Sequence, residues 1–230
     1  MFYNIGDKVS YKGHMGIVVN VTVSENPLYV VAFFEHMEGS SIATTPDGVL
    51  WNDTLVLGED KLAPILPNDV ILFAKVKPSA IIPSKRDEDA AYDVYACFDD
   101  DYLAIPPHTT ILVPTGIATA FSPKWVALLR ERGSNGSKGL AQRAGVIDSG
   151  YRGEWFVPLT NTNRVPIVIV KKDVKLPLMY NDAILYPYEK GIAQILMVEV
   201  PKLHTQEISY EELLQYTSER GTGALGSSGK

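Results

Sequence analysis

Residues 145–161 read GVIDSGYRGEWFVPLTN. Val146 and Ile147 make an apolar, β-branched start, and Asp148 follows where a side chain can leave the end of a strand. Ser149-Gly150 are turn formers, and after Tyr151-Arg152-Gly153 an apolar run resumes at Trp155 and reaches Leu159. The pattern predicts a β-hairpin whose tip holds a carboxylate and an aromatic ring three residues apart. A carboxylate held on rigid strands can act as a general base, and a ring beside it can stack on a flat or cyclic substrate. The same residues also fit an ordinary hairpin with a capping Asp148 and a half-buried Tyr151.

Outward from this stretch the chain keeps the same habit. Short β-branched runs at 71–76, 91–96, 111–113, 117–121, 126–129, 156–159, 167–170 and 192–200 are bounded by Pro, Gly, Asn and Asp. Strong helical periodicity is missing, and segment 210–216 offers at most two turns, marginal in isolation. The fold class expected is all-β, a sandwich or barrel. Residues 63–69, with two prolines, read as a linker. Before them, runs at 8–11, 16–23, 28–34 and 54–57 are separated by turn residues and predict a small SH3-like β-barrel. The expected domains are therefore 1–66 for this extension, 67–217 for a larger β domain and 218–230 for a flexible Gly-rich tail.

Composition narrows the partners. A chain of 230 residues, 46% hydrophobic and 21% charged, can bury one large core or two small ones. The net charge of −6 argues against general affinity for nucleic acid backbones, which need clustered Lys and Arg. Three lysines against eight acidic residues leave residues 1–62 at −5, so the extension is expected to meet a protein partner or serve structure. Cys97 is the single cysteine, which rules out an intrachain disulfide and a Cys-rich metal site. The four histidines, at 14, 36, 108 and 204, show no ligand spacing. No run of eighteen apolar residues occurs, and the start lacks the basic-then-apolar layout of a signal peptide. A cytoplasmic protein with no membrane contact is expected.

Five stretches, in order, resemble the motifs of the trimeric dUTPases. They are DAAYDVYA (89–96), RGSNGSKGL (132–140), the opening stretch itself, GIAQIL (191–196) and ERGTGALGSSG (219–229). The resemblance covers roughly residues 71–230 and leaves the extension aside. It implies a jelly-roll-like fold and a homotrimer whose active sites each borrow segments from all three subunits. The implied reaction is hydrolysis of dUTP to dUMP and pyrophosphate, with Mg2+ on the phosphates.

In that reading Asp148 is the general base for the attacking water, and Gln194 orients that water. Tyr151 packs beneath the deoxyribose and excludes a 2′-hydroxyl. Main-chain groups of Gly145, Val146 and Ile147 pair with the uracil edge and reject cytosine. Arg132, Gly133, Ser134, Asn135 and Gly136 grip the phosphates, with Gly136 and Gly139 allowing close backbone approach. The family order here is Arg-Ser, whereas Gly133 intervenes in this chain. Either Ser134 reaches the bridging oxygen from a shifted backbone, or a main-chain amide makes that contact. Asp93 supports the metal as an outer-sphere ligand, because Mg2+ keeps several waters.

The tail supplies Arg220, Leu225, Gly226, Ser227 and Ser228 as a lid that wraps the triphosphate. The family often has Phe at the position of Leu225, so another ring must cover uracil, and Trp155 is the candidate. Two other readings stay open. A dCTP deaminase-like enzyme would need a glutamate near the hairpin, for which Glu154 stands, but such enzymes lack the Gly-rich lid. A dUTPase-fold regulator would act by binding a protein through the extension.

Overall fold

The computed structural model describes residues 3–45, 47–218 and 221–222. These residues build eighteen strands, two four-residue helices and two single 3-10 turns, so the all-β expectation holds. No helix among them is long and apolar enough to cross a membrane. The chain divides at Glu199 into one unit, Met1–Glu199, and a second, Val200–Lys230.

The first six strands are β1 (Lys8–Tyr11), β2 (His14–Val21), β3 (Leu28–Phe33), β4 (Ser41–Thr44), β5 (Leu50–Gly58) and β6 (Ala63–Pro64). They form one antiparallel sheet in the order β4-β5-β3-β2-β1-β6. Lys12 and Gly13, both at positive φ, close β1 onto β2 in a two-residue turn whose twist suits a hairpin. Alternate residues point inward, and Val9, Val18, Tyr29 and Val31 are fully buried in a core of their own. The expected linker begins inside this sheet: Ala63 and Pro64 pair with Ser10 and Val9, and proline is tolerated there because β6 is an edge. Strands β4 and β6 are the sheet's two ends, and among the described residues no register joins them.

Past Pro64 come β7 (Ile71–Lys75), β8 (Tyr92–Val94), β9 (Tyr102–Ile105), β10 (Thr110–Pro114), β11 (Ile117–Phe121) and β12 (Trp125–Arg130). A short helix α1 (Gly133–Gly136) follows, then β13 (Leu140–Gln142), β14 (Val146–Ile147), β15 (Phe156–Asn161), β16 (Ile167–Val170), β17 (Ile184–Pro187) and β18 (Ala193–Glu199). They pair as β10-β15-β13, β11-β7, β14-β12-β18-β8 and β17-β16-β9. Their inward faces share a second core, in which Ile105, Phe121, Leu129, Trp155, Leu159 and Ile169 are almost wholly buried. Each such side chain contributes about 1.5–3 kcal/mol by leaving water. After Glu199 the described chain forms one further element, α2 (Tyr210–Leu213), opened by a reciprocal cap between Ser209 and Glu212. Its single turn lies within the two-turn limit expected for 210–216.

The expected hairpin needs correction. Strand β14 pairs with β12, not with β15, whereas β15 pairs with β10 and β13. The cause lies upstream of the turn residues. Ala144 and Gly145 take φ of 54° and 113°, which bends the chain off β13 and lays it on β12. Gly145 O accepts from Leu129 N at 2.8 Å. A Cβ at residue 145 would stand 2.8 Å from Leu129 Cβ, so only glycine fits there. Residues 148–155 thus form an arch that leaves one sheet and enters another.

Candidate active site

Strands β12, β18 and β8 lie side by side and bring three predicted residues together. The register sets Gln194 opposite both Arg130 and Asp93, and the chain then turns at Arg132 into α1. Arg132 uses its whole fork. Nε donates to Asp93 Oδ1 at 2.8 Å, Nη2 to Oδ2 at 2.9 Å and Nη1 to Gly191 O at 3.0 Å. Gly191 leaves room for this, since a Cβ there would press on Asp93 at 3.3 Å and on Arg132 Cδ at 3.4 Å. Gln194 Nε2 donates to Glu131 O at 2.7 Å, which fixes the amide with its oxygen available to a water.

Helix α1 is held from beneath by Asn135, which is only 1% exposed. Its Nδ2 donates to Ile192 O at 2.6 Å, and its Oδ1 lies 2.6 Å from Tyr186 Oη. Burial pushes the Tyr186 phenol above its ordinary range, so it stays protonated and able to donate. The Asn135 side chain, expected to face the phosphates, instead points into the scaffold. Ser134 is exposed, with its hydroxyl 3.3 Å from Asn135 Oδ1. The close approach expected at Gly139 is to the chain's own Thr162 and Asn163, at φ 73°. Gly136 is met only by the Glu131 carboxylate.

Above these residues opens a cleft of about 970 Å³, lined by Asp93, Arg132, Gly133, Ser134 and Gln194 and by residues 84–86 and 88–91. Sequence reasoning missed Lys85 and Arg86 on its wall, although two adjacent cations just before DAAYDVYA are a visible signal. Arg86 forks onto Asp89 at 2.8 and 2.9 Å, and that bond draws the Asp89 carboxyl below the ordinary carboxylate range.

The arch forms a second, smaller cavity of about 270 Å³ lined by Val146, Ile147, Asp148, Tyr151, Glu154, Trp155 and Phe156. Asp148 is exposed, and its main-chain oxygen accepts from Tyr151 N at 3.1 Å. The Tyr151 ring folds back over Gly153, where a Cβ would meet it at 2.5 Å, and its hydroxyl donates to Glu154 O at 2.9 Å. Arg152 Nη1 ties the arch down through Ser149 O at 2.6 Å and Thr119 O at 3.3 Å. Glu154 Oε1 accepts from Gly116 N at 2.8 Å. Trp155 is 0% exposed and packs in the core, so it cannot stack on a base from solvent, and the expected substitution for the family's Phe is corrected.

The two cavities share no lining residue. From the strand register, Ile147 stands two strands over and three residues along from Gln194, about 10 Å in each direction. Within one chain, Asp148 and Tyr151 therefore do not join Arg132 and Gln194. Arg220, Leu225, Gly226, Ser227 and Ser228 lie outside the described residues. No group of three or more His, Cys, Asp or Glu among the described residues is arranged to hold a metal ion.

Comparison with known proteins gives this geometry a lineage. The dUTPase family model matches residues 77–176. A deoxyuridine 5′-triphosphate nucleotidohydrolase of Mycobacterium marinum is 32% identical over 165 residues, 69% of this chain and 94% of that protein. One from Gloeobacter violaceus is 34% identical over 149 residues, 61% of this chain and 83% of its own. Among solved structures, a variant dUTPase of Staphylococcus bacteriophage 80alpha with dUpNHpp superposes at a TM-score of 0.55 with 21% identity, covering 70% of this chain and 99% of its own. A phage phi11 dUTPase, whose structure details the coordination of a structural Mg(II) ion, superposes at 0.50 with 17% identity, covering 62% and 99%. The solved structures share the fold, and relatives a third identical along most of their own length carry the descent: this chain belongs to the dUTPase family.

Proposed function

We propose that the chain hydrolyses dUTP to dUMP and pyrophosphate at a site completed between copies of itself. The observation that carries this reading is the split between a polar cleft, built on Arg132 and Gln194, and a separate arch that presents Asp148 to solvent. A phosphate-gripping half and a base-bearing half that cannot meet in one chain fit a homotrimer with shared sites. Large apolar residues left exposed on the domain past residue 66, among them Leu72, Leu112, Val146, Leu185 and Val198, supply surface for such packing.

In this reading Asp148 takes a proton from the water that attacks the α-phosphorus, and the Gln194 amide oxygen orients that water. Arg132, already oriented by Asp93, meets the phosphate oxygens, and Gly133 lets the backbone come close because nothing lies within 4 Å of its missing Cβ. Tyr151, propped by Gly153 and Glu154, supports the sugar. The residues fit Mg2+ carried on the phosphates rather than in a protein cage. Both Asp93 oxygens accept from Arg132 and keep only their remaining lone pairs for an ion's water shell. When bound, the ion neutralises phosphate charge as pyrophosphate departs. The tail residues from Arg220 onward keep the role of lid. Residues 1–66 are proposed as a module separate from hydrolysis.

Glu154 weighs against a deaminase, because one of its carboxylate oxygens is engaged by Gly116 N. Pyrophosphate release measured in parallel from dUTP, dCTP and UTP tests the proposal. Selective release from dUTP is expected. Ammonia from dCTP, or equal rates on UTP, would overturn it.

A further inference from the structure

The six-stranded sheet has an opening that hydrolysis does not use. Strand β3 ends at Phe33, where Ala32 pairs with Thr54, but β5 reaches back to Leu50, so the β4–β5 hairpin overhangs the end of β3. Between that overhang and β2 lies a cleft of about 390 Å³. Thr45, Asp47, Val49 and Trp51 form one side of it, and Ile17–Val19 with Ile5 and Gly6 form the other. The segment before β1 is fastened there by Gly6 N to Val18 O at 2.8 Å and Val18 N to Asp7 O at 2.9 Å. Ile5 and Val49 are 61% and 47% exposed, so the apolar lining is open to solvent.

We infer that this cleft is a docking site for an extended, basic peptide segment of a protein partner that inserts a bulky apolar side chain. Three observations choose that occupant. The volume lies at the low end of ligand clefts, about 300–1,000 Å³, which suits one or two side chains rather than a cofactor. The charge of −5 over residues 1–62, with Asp47 on the cleft itself, favours a cationic partner and opposes nucleic acid. Strand β4 ends at Thr44, beside the cleft, and is an end of its sheet, so its outer edge can accept an added strand through main-chain bonds. The edge gives the segment its direction, the cleft takes its side chain and the acidic surface selects its flanks. This inference stands apart from the hydrolase reading and does not depend on it.

The test uses the full-length chain, immobilised and offered two pools of nine-residue peptides with Leu, Phe or Trp fixed at the centre. Flanking positions are drawn from Lys, Arg, Ser and Thr in one pool and from Asp, Glu, Ser and Thr in the other. The basic pool should be retained about tenfold or more over the acidic pool, and the affinity of its best member, read by fluorescence anisotropy, should fall about tenfold in both Asp47→Lys and Val49→Asp. Both residues are exposed, and an unchanged circular dichroism spectrum and thermal midpoint of the variants show that the six-stranded sheet still folds. Retention of neither pool, equal retention of both, or unchanged affinity in either variant overturns the proposal. So does self-association of the full-length chain that blocks peptide capture and is lost in Val49→Asp, since the cleft would then hold a second copy.

Discussion

The cleft around Arg132 and the arch around Asp148 are built to opposite plans. At the cleft the key side chains are held in place: Arg132 by Asp93 and Gly191, Gln194 by Glu131, with Asn135 beneath them tied to Ile192. The arch ties down its backbone through Arg152, Glu154 and Gly145, yet leaves the Asp148 carboxylate in solvent. One half is oriented before substrate arrives, because a triphosphate needs a fixed cation. In the proposed reading the other gains its environment when a neighbouring copy covers it. The division also explains why one chain can fold fully and still lack a complete site.

The comparison breaks first at Asp148. Asp148→Asn keeps the size and removes the base, so kcat should fall about 10²–10⁴-fold with dUTP affinity within about tenfold. Single-turnover kinetics and equilibrium binding separate the two. A near-normal kcat would remove Asp148 from the mechanism.

Arg132→Ala removes a phosphate contact and leaves Asp93 beside the cleft without its cation. A charge-assisted bond is worth about 1.5–3 kcal/mol, so kcat/KM should drop about 10–100-fold. If the arch and cleft differ as described, Arg132→Ala should raise KM far more than Asp148→Asn does. Equal KM in both variants would erase the distinction.

Gly145→Ala probes the arch without touching its carboxylate. It puts a Cβ against Leu129 at a φ of 113°, and a residue forced into such a region costs about 1–3 kcal/mol. A thermal midpoint lowered by roughly 2–10 °C is expected, with a fall in activity as Asp148 shifts. An unchanged midpoint would mean that β14 does not need its bend.

The smallest effect should come from removing residues 1–66. Among the described residues the two hydrophobic cores share no member, and no strand pairing joins the residues before Pro64 to those after it, the first sheet ending there. A chain beginning at Pro67 should therefore hydrolyse dUTP within about twofold of the full-length rate. A trimeric but inactive product would mean that the sheet reaches into the site.

How much of this was legible depends on the range of the deciding force. The β-branched apolar run over 192–200 predicted β18, whose Ala193 and Ile195 face a buried core, and that signal is local. The short run Ser41–Thr44, with only Ile42 and Ala43 apolar, carried no such signal and became a strand through its pairing with β5. Ser149-Gly150 spoke for a hairpin, but the partner of β14 was decided by Ala144 and Gly145 together with a strand almost twenty residues earlier. Asn135 and Trp155 were read as ligand-facing because of their neighbours in sequence. Their burial is a tertiary fact, set by Tyr186 and Ile192 in one case and by the core in the other. The motifs named the candidate residues, and the fold decides which way each described one points.

The most direct test of a site completed between copies is complementation. Asp148→Asn and Arg132→Ala chains, each expected to keep about a tenth or less of the activity alone at dUTP well below KM, are unfolded together at equal amounts, refolded and assayed at that dUTP concentration for pyrophosphate release. If each site takes its arch from one copy and its cleft from another, random assembly leaves about a quarter of the sites intact, and activity should return to about a quarter of the wild-type value. Activity that stays at the level of the two parents, in a mixture shown by mass spectrometry to contain mixed oligomers, would contradict the account.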